Sequence, residues 1–285
     1  MTAHPRVIVL GAAGQLGRQV VATLRERAAW DVVACDRADL DITDESRVRD
    51  FVQRRQLRWL VNCAAMTNVD ACESQTELAD AVNAHAVTHL AAACNSIRAK
   101  LLHVSTDYVF DGCATRPYRE DHPTAPINAY GRSKCRGEEN ARSCPRHLIV
   151  RTAWLYGPGA QNFVSKILDR ARSGLPCRVV NDQFGTPTYA PDLADALERL
   201  MRIDATGTYH VTNTGRASWH ELATAALAFA GLGHVAIEPV PTSAYPTAAR
   251  RPAFSVLDCT KYVAATGHEL RPWKAALRDY IDAGP

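Results

Sequence analysis

Tyr130 and Lys134 stand four residues apart in Tyr130-Gly131-Arg132-Ser133-Lys134. On a helix that spacing puts a phenol and an ammonium on one face, about a turn apart. A cation there favours the phenolate, making the tyrosine a usable acid or base near neutrality, and it also has the reach to bind a nicotinamide ribose. Y-x-x-x-K occurs by chance on many surface helices, so its company decides its meaning. Ser105 and Thr106 end an apolar run and supply a hydroxyl to polarise a carbonyl.

Upstream, Gly11, Gly14 and Gly17 punctuate Gly11-Ala12-Ala13-Gly14-Gln15-Leu16-Gly17, between the run Val7 to Leu10 and a helical pattern. Glycines at a strand-to-helix turn let backbone N–H groups approach a pyrophosphate, whose charge the helix N-terminus also favours. The spacing is G-x-x-G-x-x-G, and the competing reading is a Gly-rich turn without ligand. Asp36 favours the dinucleotide, because it ends the next apolar run about twenty residues on, where a carboxylate binds the adenosine ribose. Arg37 beside it is either a solvated charge or a partner for a 2′-phosphate, so use of both NADPH and NADH is expected.

These groups need a scaffold. Short apolar runs (Val7 to Leu10, Val32 to Cys35, Trp59 to Asn62, Leu101 to Ser105, Leu148 to Thr152) alternate with helical patterns (Leu16 to Arg27, Glu45 to Arg54, Leu78 to Asn95). Strands so far apart in the chain form right-handed crossovers in a parallel sheet, which predicts an α/β, Rossmann-type doubly wound fold. Asp111 to Pro126 reads as a surface loop before a helix beginning near Ala129. Beyond Arg151 prolines break the pattern. The expected organisation is a dinucleotide-binding domain over 1–152, returning near 177–200 and 250–262, and a smaller substrate lobe over 153–285, built from several excursions above the sheet's C-terminal edge.

The chain resembles the extended short-chain dehydrogenases/reductases and, more narrowly, the dTDP-4-dehydrorhamnose reductase family. The resemblance runs nearly end to end, through Asn62 to Ala65, Thr67 to Glu73 (TNVDACE), Ser105 to Phe110 (STDYVF), Arg151 to Trp154 (RTAW), Asn181 to Pro187 (NDQFGTP), Val240 to Pro246 (VPTSAYP) and Arg251-Pro252. It implies reduction of dTDP-4-dehydro-β-L-rhamnose to dTDP-β-L-rhamnose. By that likeness Gly14, Gln15, Leu16, Asp36, Asp41, Ile42, Ala64, Ala65 and Thr67 contact the dinucleotide. Thr106, Asp107, Tyr130 and Trp154 surround the sugar, and Arg251 lies near the diphosphate of the dTDP-sugar. The catalytic assignment is Tyr130 with Lys134 and Thr106. Some members hold magnesium through carboxylates, one of them two residues past the third glycine; this chain has Gln19 there, so a tight magnesium site is not expected. The rival readings are another nucleotide-sugar reductase or epimerase, and a binding protein akin to the regulatory subunit of methionine adenosyltransferase.

Composition agrees with an ordinary enzyme. Of 285 residues 47% are hydrophobic and 22% charged, enough for a full core. A net charge of +3, scattered along the chain, argues against a nucleic-acid partner. Nine cysteines without a C-x-x-C pair read as free thiols in a reducing compartment. His85 and His89 lack the intervening glutamate of a zinc helix, so no metal ligand set is expected. Arg6 leads directly into an apolar strand, leaving no room for a signal peptide, and no apolar stretch has membrane-spanning length. The expected setting is cytoplasmic, with a homodimer left open.

Overall fold

The computed structural model describes residues 4–284. Its centre is a six-stranded parallel sheet of β1 (Arg6–Leu10), β2 (Asp31–Cys35), β3 (Trp59–Asn62), β4 (Lys100–Thr106), β5 (His147–Thr152) and β6 (Gly207–His210). The strand order is β2-β1-β3-β4-β5-β6. The chain therefore steps one way from β1 to β2 and back across β1 to β3, and the reversal opens a crevice at the strand C-termini, where α/β sheets bind ligands.

Helices cover both faces, which is why the strands read as unbroken apolar runs. On one face α1 (Gln15–Glu26) turns Leu16, Val20 and Leu24 onto Val7 and Val9, and α5 (Ala190–Arg202) adds Leu193 and Leu197 beside it. On the other, α2 (Glu45–Gln53) and α3 (Ala86–Ser96) set Val48, Val52, Leu90 and Cys94 against Ile8, Leu10 and Leu60. Between β4 and β5 runs α4 (Ala129–Ala141), started by the Asn128 side chain accepting from the Gly131 N–H at 2.7 Å.

A separate core lies beyond β5. It joins the helices Phe163–Arg172, Trp219–Phe229 and Trp273–Asp282 to the parallel strand pair Cys177–Val180 and Ile237–Val240. Two of its helices open on capping boxes, Asn162 with Ser165 and Ser218 with Glu221. Asn162 also donates to the Gly157 carbonyl at 3.0 Å and to the Tyr280 hydroxyl at 2.9 Å, which ties the entry of the lobe to its last helix.

Three details depart from the sequence reading. Segment 177–200 is divided: Cys177–Val180 lies in the lobe core, and only α5 packs on the sheet. The sheet has a further strand, β6, whose four residues Gly-Thr-Tyr-His carry too little apolar character to mark it. The single helix expected over Leu78 to Asn95 is Thr76–Asp80, a π-helical turn at Ala81–His85, and α3. A π turn holds an extra residue and is common beside functional sites. Here it carries Asn83, which is 1% exposed.

Candidate active site

The glycine loop leaves β1 and enters α1. Its turn is closed by the Gly14 N–H donating to the Gly11 carbonyl at 3.0 Å, and Ala12 N–H donates to the Cys35 carbonyl at 3.0 Å. A Cβ on Gly17 would collide with that same Gly11 carbonyl, so the close approach of helix and loop requires glycine there. The N-cap residue, Gly14, offers no side-chain cap, and the first turn of α1 has no acidic residue. Uncapped N–H groups at a helix start, in a loop whose only side chains are the methyls of Ala12 and Ala13, fit the pyrophosphate of a dinucleotide.

Gly14, Gln15 and Leu16 border a cavity of about 480 Å³, together with Ala65 and Thr67 from the loop after β3. Gln15 spans it, donating from Nε2 to the Gly157 carbonyl of the lobe at 3.1 Å. Gly11, Gly17 and Ala64 lie behind this wall. Asp36, Arg37, Asp41 and Ile42 follow the end of β2, one strand over, and do not border the cavity. Asp36 Oδ1 accepts from the backbone N–H groups of Ala38 and Asp39 at 2.7 and 3.3 Å. Arg37 is 83% exposed and only loosely held by Asp41, at 3.5 Å. The Thr43 hydroxyl and N–H hold Asp41 below the usual carboxylate range. Ile42 is buried among the core residues under α2.

The sheet side of the cavity is polar. Thr106 and Asp107 stand at the end of β4, and α4 presents Tyr130 and Lys134 on one face. Thr106 Oγ1 donates to Asp107 Oδ1 at 3.0 Å and accepts from the Tyr108 N–H at 3.2 Å. Asp107 is 2% exposed, and its Oδ2 has no hydrogen-bond partner among the described residues. Burial pushes this carboxyl up to about 7, against the opposing pull of the Ser255 and Thr106 hydroxyls. Lys134 donates to the Val104 carbonyl at 2.7 Å and lies 3.4 Å from His103 Nε2. Burial lowers its ammonium to about 8, with Glu138 and then Cys63 opposing. His103 is driven well below its usual range, first by burial and then by Lys134.

One expectation is narrowed by this geometry. Ser105 borders the cavity beside Thr106, but its Oγ is engaged, donating to the buried Glu138 at 2.7 Å, which leaves Thr106 as the hydroxyl beside Tyr130. Lys134 shares the cavity wall with Tyr130, and its Nζ is held by the Val104 carbonyl. Burial dominates and pushes the phenol above its ordinary range, with the Thr106 hydroxyl as the main opposing influence.

Three residues carry the site without a signal in the sequence strong enough to single them out. Asn83, in the π turn, accepts from Met66 N–H at 2.8 Å and donates to the Met66 carbonyl and to Ser133 Oγ, both at 3.0 Å, linking the loop after β3 to α4. Glu138, two turns beyond Tyr130, receives Arg151 Nε at 2.8 Å and Nη2 at 2.7 Å, with both side chains almost wholly buried. Trp219 lies on the lobe side of the cavity with Trp154, Phe163 and Leu222. The Ser218 and Glu221 capping box was the one readable clue to where Trp219 sits. Arg251 is outside the cavity wall, donating to Asp70 Oδ2 at 2.7 Å and to the Ala249 carbonyl at 2.9 Å.

Residues 5–284 match the family model described as RmlD substrate binding domain. The chain belongs to the RmlD family. Among RmlD-family relatives, dTDP-4-dehydrorhamnose reductase of Streptomyces griseus is 44% identical over 98% of this chain and 94% of its own length. A crystal structure of a dTDP-4-dehydrorhamnose reductase from Clostridium acetobutylicum superimposes with a TM-score of 0.94 at 38% identity, covering 98% of this chain and 99% of that one. The enzyme of the same name from Bacillus anthracis, solved in complex with NADP, gives 0.94 at 37% identity over 99% and 100%. The nine cysteines are all free, and six are buried. Among the described residues no helix is long and apolar enough to cross a membrane, and no three His, Cys, Asp or Glu side chains cluster as metal ligands.

Proposed function

We propose that this chain reduces dTDP-4-dehydro-β-L-rhamnose to dTDP-β-L-rhamnose with NADPH or NADH. The observation that carries the reading is the convergence of Thr106, Tyr130 and Lys134 on one wall of a cavity whose adjoining wall is the glycine loop, in a chain of the RmlD family. In this reading the sheet domain holds the dinucleotide and the lobe after β5 holds the sugar nucleotide. The loop backbone takes the pyrophosphate, Asp36 the adenosine ribose, and Arg37 a 2′-phosphate when there is one. Asp41, Ile42, Ala64, Ala65 and Thr67 complete the dinucleotide side.

When bound, the dihydronicotinamide supplies hydride to C4 of the keto sugar. Tyr130 gives its phenolic proton to the C4 oxygen, so the carbonyl gains a hydride and a proton and becomes an alcohol. Burial suits that task, because it keeps the proton on the phenol at neutral pH until the oxygen develops charge. Lys134, turning from the Val104 carbonyl, stabilises the phenolate left behind and binds the nicotinamide ribose. Thr106 holds the sugar oxygen, and Asp107, which borders the same wall, takes a neighbouring sugar hydroxyl. Arg251, paired with Asp70, stands toward the diphosphate. The setting is the cytoplasm, which keeps free thiols reduced.

Incubation of the purified protein with dTDP-4-dehydro-β-L-rhamnose and NADPH, followed by NMR of the product, tests the reading. One NADPH oxidised per dTDP-β-L-rhamnose formed is the expected stoichiometry. An epimerised product without net oxidation would move the chain to the epimerases. No turnover, with stimulation of a synthetase partner, would make it a regulatory subunit.

A further inference from the structure

We propose that Trp219, stacked on Trp154, builds with it the wall that selects a sugar bearing a methyl group at C5, a 6-deoxy-4-keto sugar, over its 6-hydroxy counterpart. The inference rests on the reductase reading above and assigns its specificity to residues of the lobe.

The two indoles lie 3.6 Å apart between ring centroids and within 7° of parallel, with the Phe163 ring 4.7 Å from Trp219. Trp154 holds this position at a cost. Its φ of +47° is in the left-handed region that a bulky residue seldom occupies, and such strain persists where the surroundings over-determine it, often at ligand sites. Gly185 is part of that surrounding, because a Cβ there would collide with the Trp154 indole. Both indoles are only partly buried and border the cavity, as do Phe163, Val164 and Leu222. The cavity is therefore two-sided, with hydroxyl, carboxyl and ammonium groups on the sheet side and the stacked indoles on the lobe side, where Tyr156, Gln161 and Asn162 also border it.

The register places the aromatic side close to the reacting groups. Thr106 pairs with Thr152 across β4 and β5, and Trp154 follows two residues later, so the indole stands at the reacting end of the cavity. In a hexose ring C5 is bonded to C4, whereas C1, which carries the nucleotide, lies across the ring from C4. C3 flanks C4 on its other side and carries a hydroxyl; with the C4 carbonyl at Tyr130 and the C3 hydroxyl at Asp107, the group left for Trp154 is the substituent on C5 and not the thymine. A 6-deoxy sugar presents a methyl there, its one apolar substituent. A 6-hydroxy sugar would bring a hydroxyl against indole faces that give it no hydrogen-bond partner, and burying a hydroxyl unpaired is unfavourable. Trp219 acts both as surface and as the backing that keeps Trp154 in its strained position.

The test compares kcat/KM for a dTDP-4-keto-6-deoxy sugar and for the same sugar with a 6-hydroxyl, in the wild type, Trp219→Ala and Trp219→Phe. Apolar pockets discriminate against an added hydroxyl by roughly 100-fold, so the wild-type ratio should be of that order. Trp219→Ala should reduce the ratio at least tenfold, mainly by raising KM for the deoxy sugar, and Trp219→Phe should restore most of it. Stacked indoles also give an exciton couplet in circular dichroism, which should vanish in Trp219→Ala. NADPH titration reports that the sheet domain of each variant is folded. An unchanged sugar ratio after loss of the couplet would overturn the proposal. So would a loss of preference for thymidine over uridine diphospho-sugars in its place, since that would make the stack a base platform. If the wild type turns over neither sugar, the reductase reading itself fails and this inference with it.

Discussion

In the proposed reduction Tyr130 holds a proton beforehand and releases it as hydride arrives, and its surroundings divide those two demands. Burial secures the first, and the Thr106 hydroxyl, which opposes burial at the phenol, serves the second, with Lys134 on the same wall. Tyr130→Phe keeps the ring, and with it the edge contact to Tyr108 at 5.9 Å between centroids, but loses the acid. Steady-state kinetics should show kcat lower by about 10²–10⁴-fold, with dinucleotide affinity retained. Near-wild-type turnover would pass the proton-donor role to Thr106 or water. Asp107 supports a prediction about stability. An acid whose folded pKa of about 7 lies above its unfolded value keeps its proton longer in the folded state. Its stabilising contribution is full below the unfolded pKa of about 3.9 and is lost as pH rises through about 7. Asp107→Asn carries no charge at any pH. Its melting temperature should exceed that of the wild type at pH 8, by on the order of 1–4 kcal/mol of stability, with the gap narrowing toward pH 5. Parallel curves for the two proteins would show that the carboxyl does not titrate in this range.

At the scale of elements, α4 delivers Tyr130 and Lys134, and its hold on the sheet is an ion pair. Glu138 is bonded to Arg151 of β5 and to Ser105 of β4, while Arg151 Nη1 lies 3.3 Å from His210 of β6. One carboxylate thus fixes the helix against three strands. Removing one member of a buried pair costs about 3–5 kcal/mol, so Glu138→Gln should melt roughly 10 °C lower. A second effect separates this residue from a purely structural one. Glu138 supports the Lys134 ammonium against burial, with Cys63 as a weaker support and His103 alongside. Without it the lysine should lose its proton at lower pH, and the basic limb of the kcat profile should move down from near 8. A destabilised variant with an unmoved limb would confine Glu138 to structure. These elements also separate what could be read in the sequence from what could not. The five strands β1 to β5 and helices α1, α2 and α4 announce themselves, because their apolar runs and spacings are local. So do the glycine loop and the Tyr130-Lys134 pair. Asn83, Glu138, Trp219 and β6 do not, since each takes its meaning from partners 13 or more residues away. Ser105 shows the same limit from the other side: its neighbour Thr106 suggests a shared role, and only the bond to Glu138, 33 residues away, occupies the Ser105 hydroxyl while that of Thr106 stays beside Tyr130.

The whole molecule is a cleft between two cores, with the glycine-loop side built on the sheet and the aromatic side on the lobe. A ligand held there stabilises the folded chain by mass action. At 100 times its dissociation constant NADPH should add about 2.7 kcal/mol, equivalent to roughly 5–10 °C in melting temperature for a chain of this size. The source of that shift can be located. The pyrophosphate reading assigns the binding to backbone N–H groups in a turn whose shape depends on Gly17 passing against the Gly11 carbonyl. Neither partner in that contact is a flexible side-chain end, so Gly17→Ala must open the turn and misdirect the donors. Gln15→Ala, in contrast, removes only the side-chain bond to the Gly157 carbonyl and leaves the turn intact. In thermal melts Gly17→Ala should lose most of the NADPH-dependent shift, while Gln15→Ala should keep most of it and melt slightly lower without ligand, by about 1 kcal/mol for one hydrogen bond. The pair distinguishes a backbone cradle from a side-chain clamp. If Gln15→Ala abolished the shift and Gly17→Ala preserved it, the dinucleotide would be held by the bridge between sheet and lobe, and the glycine loop would be a turn without a ligand.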